Sequence, residues 1–158
     1  MTTRLVRQFL FKKIYAYLFE GLYSFAGKIR TKTISKGGFV FANGDFLPLI
    51  LNDIDNMPDN TFSEIVDKYI EMNIANPFME GNGRSTRICL DLLLKNRLNM
   101  CIDWPKIKKD DYLSAMKEGS INPKYFFELL RNVLTDKAED RKLFIKGIDY
   151  SYYYEEEE

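Results

Sequence analysis

A chain of 158 residues fits one domain, and 46% hydrophobic with 29% charged residues is the balance of an ordinary globular protein. The formal net charge is zero, which excludes a nucleic-acid binder held by bulk charge, and no apolar run approaches the ~20 residues of a membrane span. The chain holds no His, which removes the commonest general base near neutral pH and the usual zinc, Ser/His and Cys/His arrangements.

Taken in chain order, the pattern is mostly helical. Leu5, Phe9, Leu10, Ile14, Tyr17, Leu18 and Leu22 recur at helical spacing and predict a helix over 5–24, with Gly27 as its stop. Arg4, Arg7, Lys12 and Lys13 do not form a signal-peptide layout. Residues 30–46 change character. Thr31, Thr33, Phe39, Val40 and Phe41 favour strand, and Gly37-Gly38 is a turn signal, so a short exposed hairpin or flap is expected. A helix over 46–54 carries Pro48 in its first turn, and another over 63–73 shows Ile65, Val66, Tyr69, Ile70 and Met72 on one side. Residues 83–98 read as a buried helix that is apolar nearly all round, through Ile88, Leu90, Leu92, Leu93, Leu94 and Leu98. Helices follow at 109–118, 122–135 and 136–146, then a short one after Gly147. Cys89 and Cys101 lie in or beside apolar segments, which fits reduced thiols and a cytoplasmic location. Twelve Phe and ten Tyr are many for one small core, which leaves two readings: a homo-oligomer joined through exposed rings, or simply an aromatic-rich core.

Between two of these helices lies NPFMEGNGRSTR, Asn76–Arg87. Gly81-Asn82-Gly83 permits backbone conformations in which successive N–H groups curl into an anion-binding nest. The helix start that follows favours negative charge. Arg84 and Arg87 stand three apart on that helix, where cations oppose its dipole, unless a polyanion lies between their forks. Glu80 would repel phosphates unless a divalent cation intervenes, and Mg²⁺ is the natural choice. A nucleotide polyphosphate–Mg²⁺ site is one reading of these residues. A Gly-rich helix start with solvated Arg side chains is the other.

This stretch resembles the signature of the Fic family, HPFx[D/E]GNGRxxR, at every fixed position but the first. The resemblance extends over essentially the whole chain, from LFEGLYSFAGKIR through the hairpin to the C-terminus. It implies an all-α fold, a compact helical bundle with a small β-hairpin flap. The implied activity is protein adenylyltransferase chemistry, moving AMP from ATP to a hydroxyl side chain of a target protein. In that frame Glu80 would hold Mg²⁺ and Gly81, Asn82 and Gly83 would cradle the α-phosphate. Arg84 would meet the β-phosphate, Arg87 would meet the γ-phosphate, and Phe78 would anchor the loop in the core. The flap, Lys36, Gly37, Gly38, Phe39, Val40 and Phe41, would dock the target by strand addition. Its plainer reading is an ordinary surface hairpin.

The family's base is the His before Pro-Phe, and this chain has Asn76 there. An amide has no useful basicity near neutral pH, so the expectation is a chain that binds ATP–Mg²⁺ and transfers AMP poorly or not at all. Asn76 is then either natural or an engineered change; the retention of Glu80, Asn82, Arg84 and Arg87 favours the engineered origin. At the other end, Ser151 and Glu155 in SYYYE stand four apart. They resemble the inhibitory [S/T]xxxE[G/N] motif of Fic proteins that carry it on a C-terminal helix, although Glu156 replaces the Gly or Asn. The implied division is a Fic domain over 1–146 and an autoinhibitory helix over 147–158 packed on it, with Glu155 pairing to Arg87. Tyr152, Tyr153 and Tyr154 are candidate sites of self-modification. The alternatives are a Fic transferase of another phosphate-containing group and a non-catalytic nucleotide- or protein-binding homologue.

Overall fold

The computed structural model describes residues 13–36, 38–118 and 121–154. A first helix, α1, is described over residues 13–19 and turns Tyr15 and Phe19 inward. The helix expected to continue to 24 stops earlier. Gly21 adopts φ +87°, and the N–H groups of Leu22 and Tyr23 both fold back on the Phe19 carbonyl at 3.0 and 3.2 Å. The stop signal was thus Gly21, six residues before the glycine chosen from the pattern. The hairpin is present where expected, β1 (Ser35–Lys36) antiparallel to β2 (Phe39–Val40).

Asn43 caps a 3₁₀ turn, Gly44–Phe46, that leads into α2 (Leu47–Asn56) with Pro48 in its first turn. α3 (Phe62–Ala75) starts at a complete capping box: Thr61 Oγ1 accepts from the Glu64 N–H at 3.2 Å, and the Glu64 carboxylate accepts from the Thr61 N–H at 3.1 Å. α4 (Asn82–Leu98) packs along α3 and is the central helix. It is not apolar all round: Asn82, Ser85, Thr86, Arg87 and Asp91 are buried beside Cys89, Leu90 and Leu94.

Beyond α4 the chain pairs β3 (Cys101–Ile102) with β4 (Leu134–Thr135), a two-residue ladder too short to leave a periodic signal. A 3₁₀ turn, Trp104–Lys106, α5 (Lys109–Glu118) and α6 (Pro123–Arg131) lie between them. The helix expected over 122–135 therefore ends at Arg131 and gives way to strand. α7 (Arg141–Tyr153) runs without interruption through Gly147, where a break was expected. That glycine serves close packing instead: a Cβ there would lie 3.1 Å from Trp104 Cδ1.

The largest core cluster joins Ile65, Val66 and Tyr69 of α3 to Leu90 and Leu94 of α4, with Trp104, Tyr112, Phe126, Leu130 and Tyr154. Tyr15, Phe19 and Phe78 form a separate aromatic cluster under the Asn76–Arg87 stretch. Asp59, 1% exposed, accepts from Lys68 of α3 at 3.3 Å and Arg97 of α4 at 3.1 Å, so its buried charge is paired from two helices. Among the described residues, no helix is long and apolar enough to cross a membrane.

Candidate active site

Asn76 ends α3 in the left-handed region, φ 45° and ψ 62°, one of the few conformations that Asn tolerates better than most residues. Arg30 holds this corner. Its guanidinium donates to the carbonyls of Asn76 (2.8 Å), Ala75 (2.9 Å), Ala42 (2.6 Å) and Lys32 (2.6 Å), and its own N–H donates to the Pro77 carbonyl at 2.9 Å. The side chain is 3% exposed, and burial lowers its pKa from the usual guanidinium value. It meets the negative end of the α3 dipole and the last carbonyls of that helix, while tying both roots of the hairpin to position 76. Sequence reasoning missed Arg30, because a lone Arg after an apolar Ile resembles any surface cation.

Phe78 is fully buried and stacks on Tyr15 with ring centroids 3.8 Å apart, as expected for a loop anchor. Asn82 clasps the same residue: Oδ1 accepts from the Phe78 N–H at 2.8 Å and Nδ2 donates to its carbonyl at 2.7 Å. Asn82 was expected, with Gly81 and Gly83, to cradle a phosphate; here both polar atoms of its side chain close the loop. Gly81 caps α4 at φ 73°, and a Cβ there would lie 2.4 Å from the Phe19 ring. It supplies no side chain to cap the first turn, so N–H groups of that turn are available to an anion.

The two Arg diverge. Arg84 lies over the Phe19 ring, 4.7 Å from its centroid, on the α1 side of the loop. Arg87 is 4% exposed, packs against Gly83, donates from Nη1 to the Tyr112 hydroxyl at 3.2 Å, and lies 5.5 Å and 5.7 Å from the Tyr112 and Tyr154 ring centroids. A cleft of about 910 Å³ opens here. Its walls carry Asn76, Glu80, Gly81, Asn82, Gly83 and Arg87 on one side and Lys36, Phe39 and Phe41 of the hairpin on another. Arg84, expected with Arg87, does not line it. Gly38 and Val40 belong to the hairpin without lining the cleft, and Gly37 lies outside the described residues. Tyr112, Met116, Phe126 and Tyr154, absent from the sequence-based candidates save Tyr154, complete the apolar end.

Glu80 is exposed on the cleft wall, and among the described residues no group of three or more His, Cys, Asp or Glu could enclose a metal. One carboxylate in an open cleft suits a hard cation completed by ligand oxygens and water. Behind the loop, burial foremost, with the neighbouring Tyr23 and Glu80, pushes the Tyr15 hydroxyl up to about 12, so it stays neutral.

Tyr154 follows α7 and is 2% exposed; its hydroxyl donates to the backbone carbonyl of Trp104 or of Ile107 (2.8 Å). In this packing the hydroxyl of Tyr154, a candidate for self-modification, is turned to backbone carbonyls while the residue lines the cleft. Ser151 and the residues Tyr152 and Tyr153 lie in the last turn of α7. Glu155 lies outside the described residues, and with it the expected pairing to Arg87.

The geometry has counterparts. A relative from Bartonella schoenbuchensis, named protein adenylyltransferase VbhT, is 29% identical over 151 residues covering 87% of this chain. The chain spans only 31% of that relative's length. The BepC protein of Bartonella tribocorum, solved with bound AMPPNP, matches with a TM-score of 0.70 at 20% identity, over 79% of this chain and 72% of that one. The N-terminal Fic domain of a Bartonella quintana effector protein, solved with bound ADP, matches with a TM-score of 0.70 at 18% identity, over 85% of this chain and 74% of that one. The family model described as Fic/DOC matches residues 6–94, more than half of the sequence, and the chain belongs to that family.

Proposed function

We propose that the chain is a protein adenylyltransferase scaffold that binds ATP with Mg²⁺ in the 910 Å³ cleft and, with Asn76 in the base position, transfers AMP weakly or not at all. The observation that carries this reading is the convergence of position 76, Glu80, the first turn of α4 and Arg87 on one cleft facing the hairpin. The names of the relative and of the nucleotide-bound neighbours support it.

Transfer needs a target hydroxyl oxygen to attack the α-phosphorus in line with departing pyrophosphate, and its proton to leave. The α4 amides and Arg87 would stabilise the phosphate oxygens. Mg²⁺, held by Glu80, would supply charge neutralisation between phosphates. The hairpin would align the target segment, and Arg30 would keep hairpin and residue 76 in register. Asn76 can hold a hydrogen bond but cannot take the proton. The end of α7 would restrain the site further through Ser151 and Glu155; the Tyr154 ring, with its centroid 5.7 Å from the Arg87 guanidinium carbon, supports this.

The test is Asn76→His combined with Glu155→Gly, assayed with labelled ATP on cell lysate. The left-handed backbone at position 76 also accepts His, so the loop should persist. Labelling should rise by ~10²–10⁴-fold over the parent chain. No gain despite retained ATP binding would refute the base assignment, and a gain only with another phosphate-containing donor would reassign the group transferred.

A further inference from the structure

We infer that Arg30 and Gly44 are positioning residues for the acceptor. They pin the root of the hairpin to the end of α3, so a segment docked on the hairpin meets position 76 at one fixed height. Nucleotide binding does not depend on them. The inference rests on the transferase reading above and deepens it.

Arg30 joins more than a helix cap requires. Capping the negative end of α3 takes only the carbonyls of Ala75 and Asn76, which accept from the guanidinium at 2.9 and 2.8 Å. The same fork also donates to the carbonyls of Lys32 and Ala42, both at 2.6 Å, and these stand at the two roots of the hairpin. All four bonds go to backbone oxygens, and the residue is 3% exposed. A buried cation is a costly cap for a helix whose last residue, Asn76, already adopts the left-handed capping conformation. What the guanidinium adds is a planar set of donors that holds three segments at once, which a single ammonium cannot span.

Two further contacts close the root. Gly44 is buried, and a Cβ there would run into the Thr31 carbonyl, so the two roots touch backbone to backbone. The Ala42 N–H donates to the Ile74 carbonyl of α3 at 3.3 Å. Beyond this point the hairpin has two paired residues per strand, too few to hold a direction of its own. The root therefore sets where Phe39 and Phe41, with ring centroids 5.1 Å apart, stand on the cleft wall relative to Asn76. The phosphate cradle has separate supports: Phe78 stacked on Tyr15, the Asn82 clasp on Phe78, and Gly81 packed against Phe19.

Hydrogen exchange, calorimetry and transfer on the full chain test this. Arg30→Lys in the unmodified chain should speed exchange of the Phe41 and Ala42 amides by about tenfold or more, while ATP–Mg²⁺ affinity stays within about twofold of the parent. In the Asn76→His/Glu155→Gly form, Arg30→Lys and, separately, Gly44→Ala should each lower AMP transfer to lysate proteins by about tenfold or more at saturating ATP. The half-saturating ATP concentration should not change, whereas a merely structural support would lose nucleotide affinity and transfer together. Unchanged exchange at Phe41 and Ala42, undiminished transfer in Arg30→Lys, or ATP affinity that falls with transfer in both variants would each overturn the inference. An Asn76→His/Glu155→Gly form that binds ATP and transfers nothing would remove the transferase reading and this inference together. Transfer in that form with an indifferent Arg30→Lys removes this inference alone.

Discussion

At the C-terminal end of α4, Lys95 and Arg97 occupy the last turn, where the helix dipole favours cations, and Arg97 reaches the buried carboxylate of Asp59 at 3.1 Å. At the N-terminal end, Arg84 and Arg87 stand in the first two turns, where the dipole opposes them, and both guanidinium groups lie against aromatic rings, Arg84 over Phe19 and Arg87 beside Tyr112 and Tyr154. The same helix thus uses charge in two ways. One end places cations where they stabilise the fold. The other holds a cation against its own dipole beside a left-handed glycine and an open cleft, the arrangement that the proposed anion site would use. Stability and ligand binding should therefore separate along α4, and variants at its two ends should have different signatures.

Gly81→Ala should have the largest effect. The new methyl group meets both a positive φ and the Phe19 ring, so destabilisation of roughly 2–4 kcal/mol is expected, with loss of nucleotide binding. Urea unfolding together with a nucleotide titration checks both parts. An Ala variant that still binds would break the comparison, because it would detach the anion site from the Gly81 backbone.

Asp91, in the middle of α4, should alter stability and leave binding alone. Its carboxylate accepts from the Ile102 N–H at 2.9 Å and Trp104 Nε1 at 2.7 Å, and burial outweighs those bonds and pushes its pKa up to about 7. The folded state therefore holds this proton more tightly than the unfolded chain. The stabilisation is full below the unfolded value near 4 and is lost as pH rises through about 7. Asp91→Asn cannot titrate, so it should gain on the parent by roughly 2–3 kcal/mol between pH 5 and pH 8. Parallel pH profiles for the two proteins would show that Asp91 does not carry the effect. Nucleotide affinity at either pH should match the parent.

The sequence made the helical frame legible, because helical period and start signals act locally: Pro48 in the first turn marks α2, and the apolar side of Ile65, Val66, Tyr69, Ile70 and Met72 marks α3, whose capping box at Thr61 and Glu64 went unread. The Asn76–Arg87 motif also located the cleft floor before any coordinates. What stayed hidden depends on contacts far apart in the chain. Gly147 looks like a helix breaker until Trp104 is seen packed against it. Arg30 looks like a surface cation until carbonyls from residues 32, 42, 75 and 76 converge on it. The division of labour between Arg84 and Arg87 depends on which aromatic ring lies beneath each, and Phe19 and Tyr112 are far from the motif in sequence. Asn82 was placed at the ligand by the resemblance of the motif; that its side-chain amide also clasps Phe78 depends on how the loop folds back on itself.

The most direct measurement is a calorimetric titration of ATP with Mg²⁺ into the unmodified chain, into Arg87→Met and into Asp91→Asn. One nucleotide should bind per chain, Arg87→Met should weaken it by about tenfold or more, and Asp91→Asn should bind as the parent does. A folded parent chain that takes up no nucleotide, or an Arg87→Met variant that binds as well as the parent, would contradict the account of this cleft.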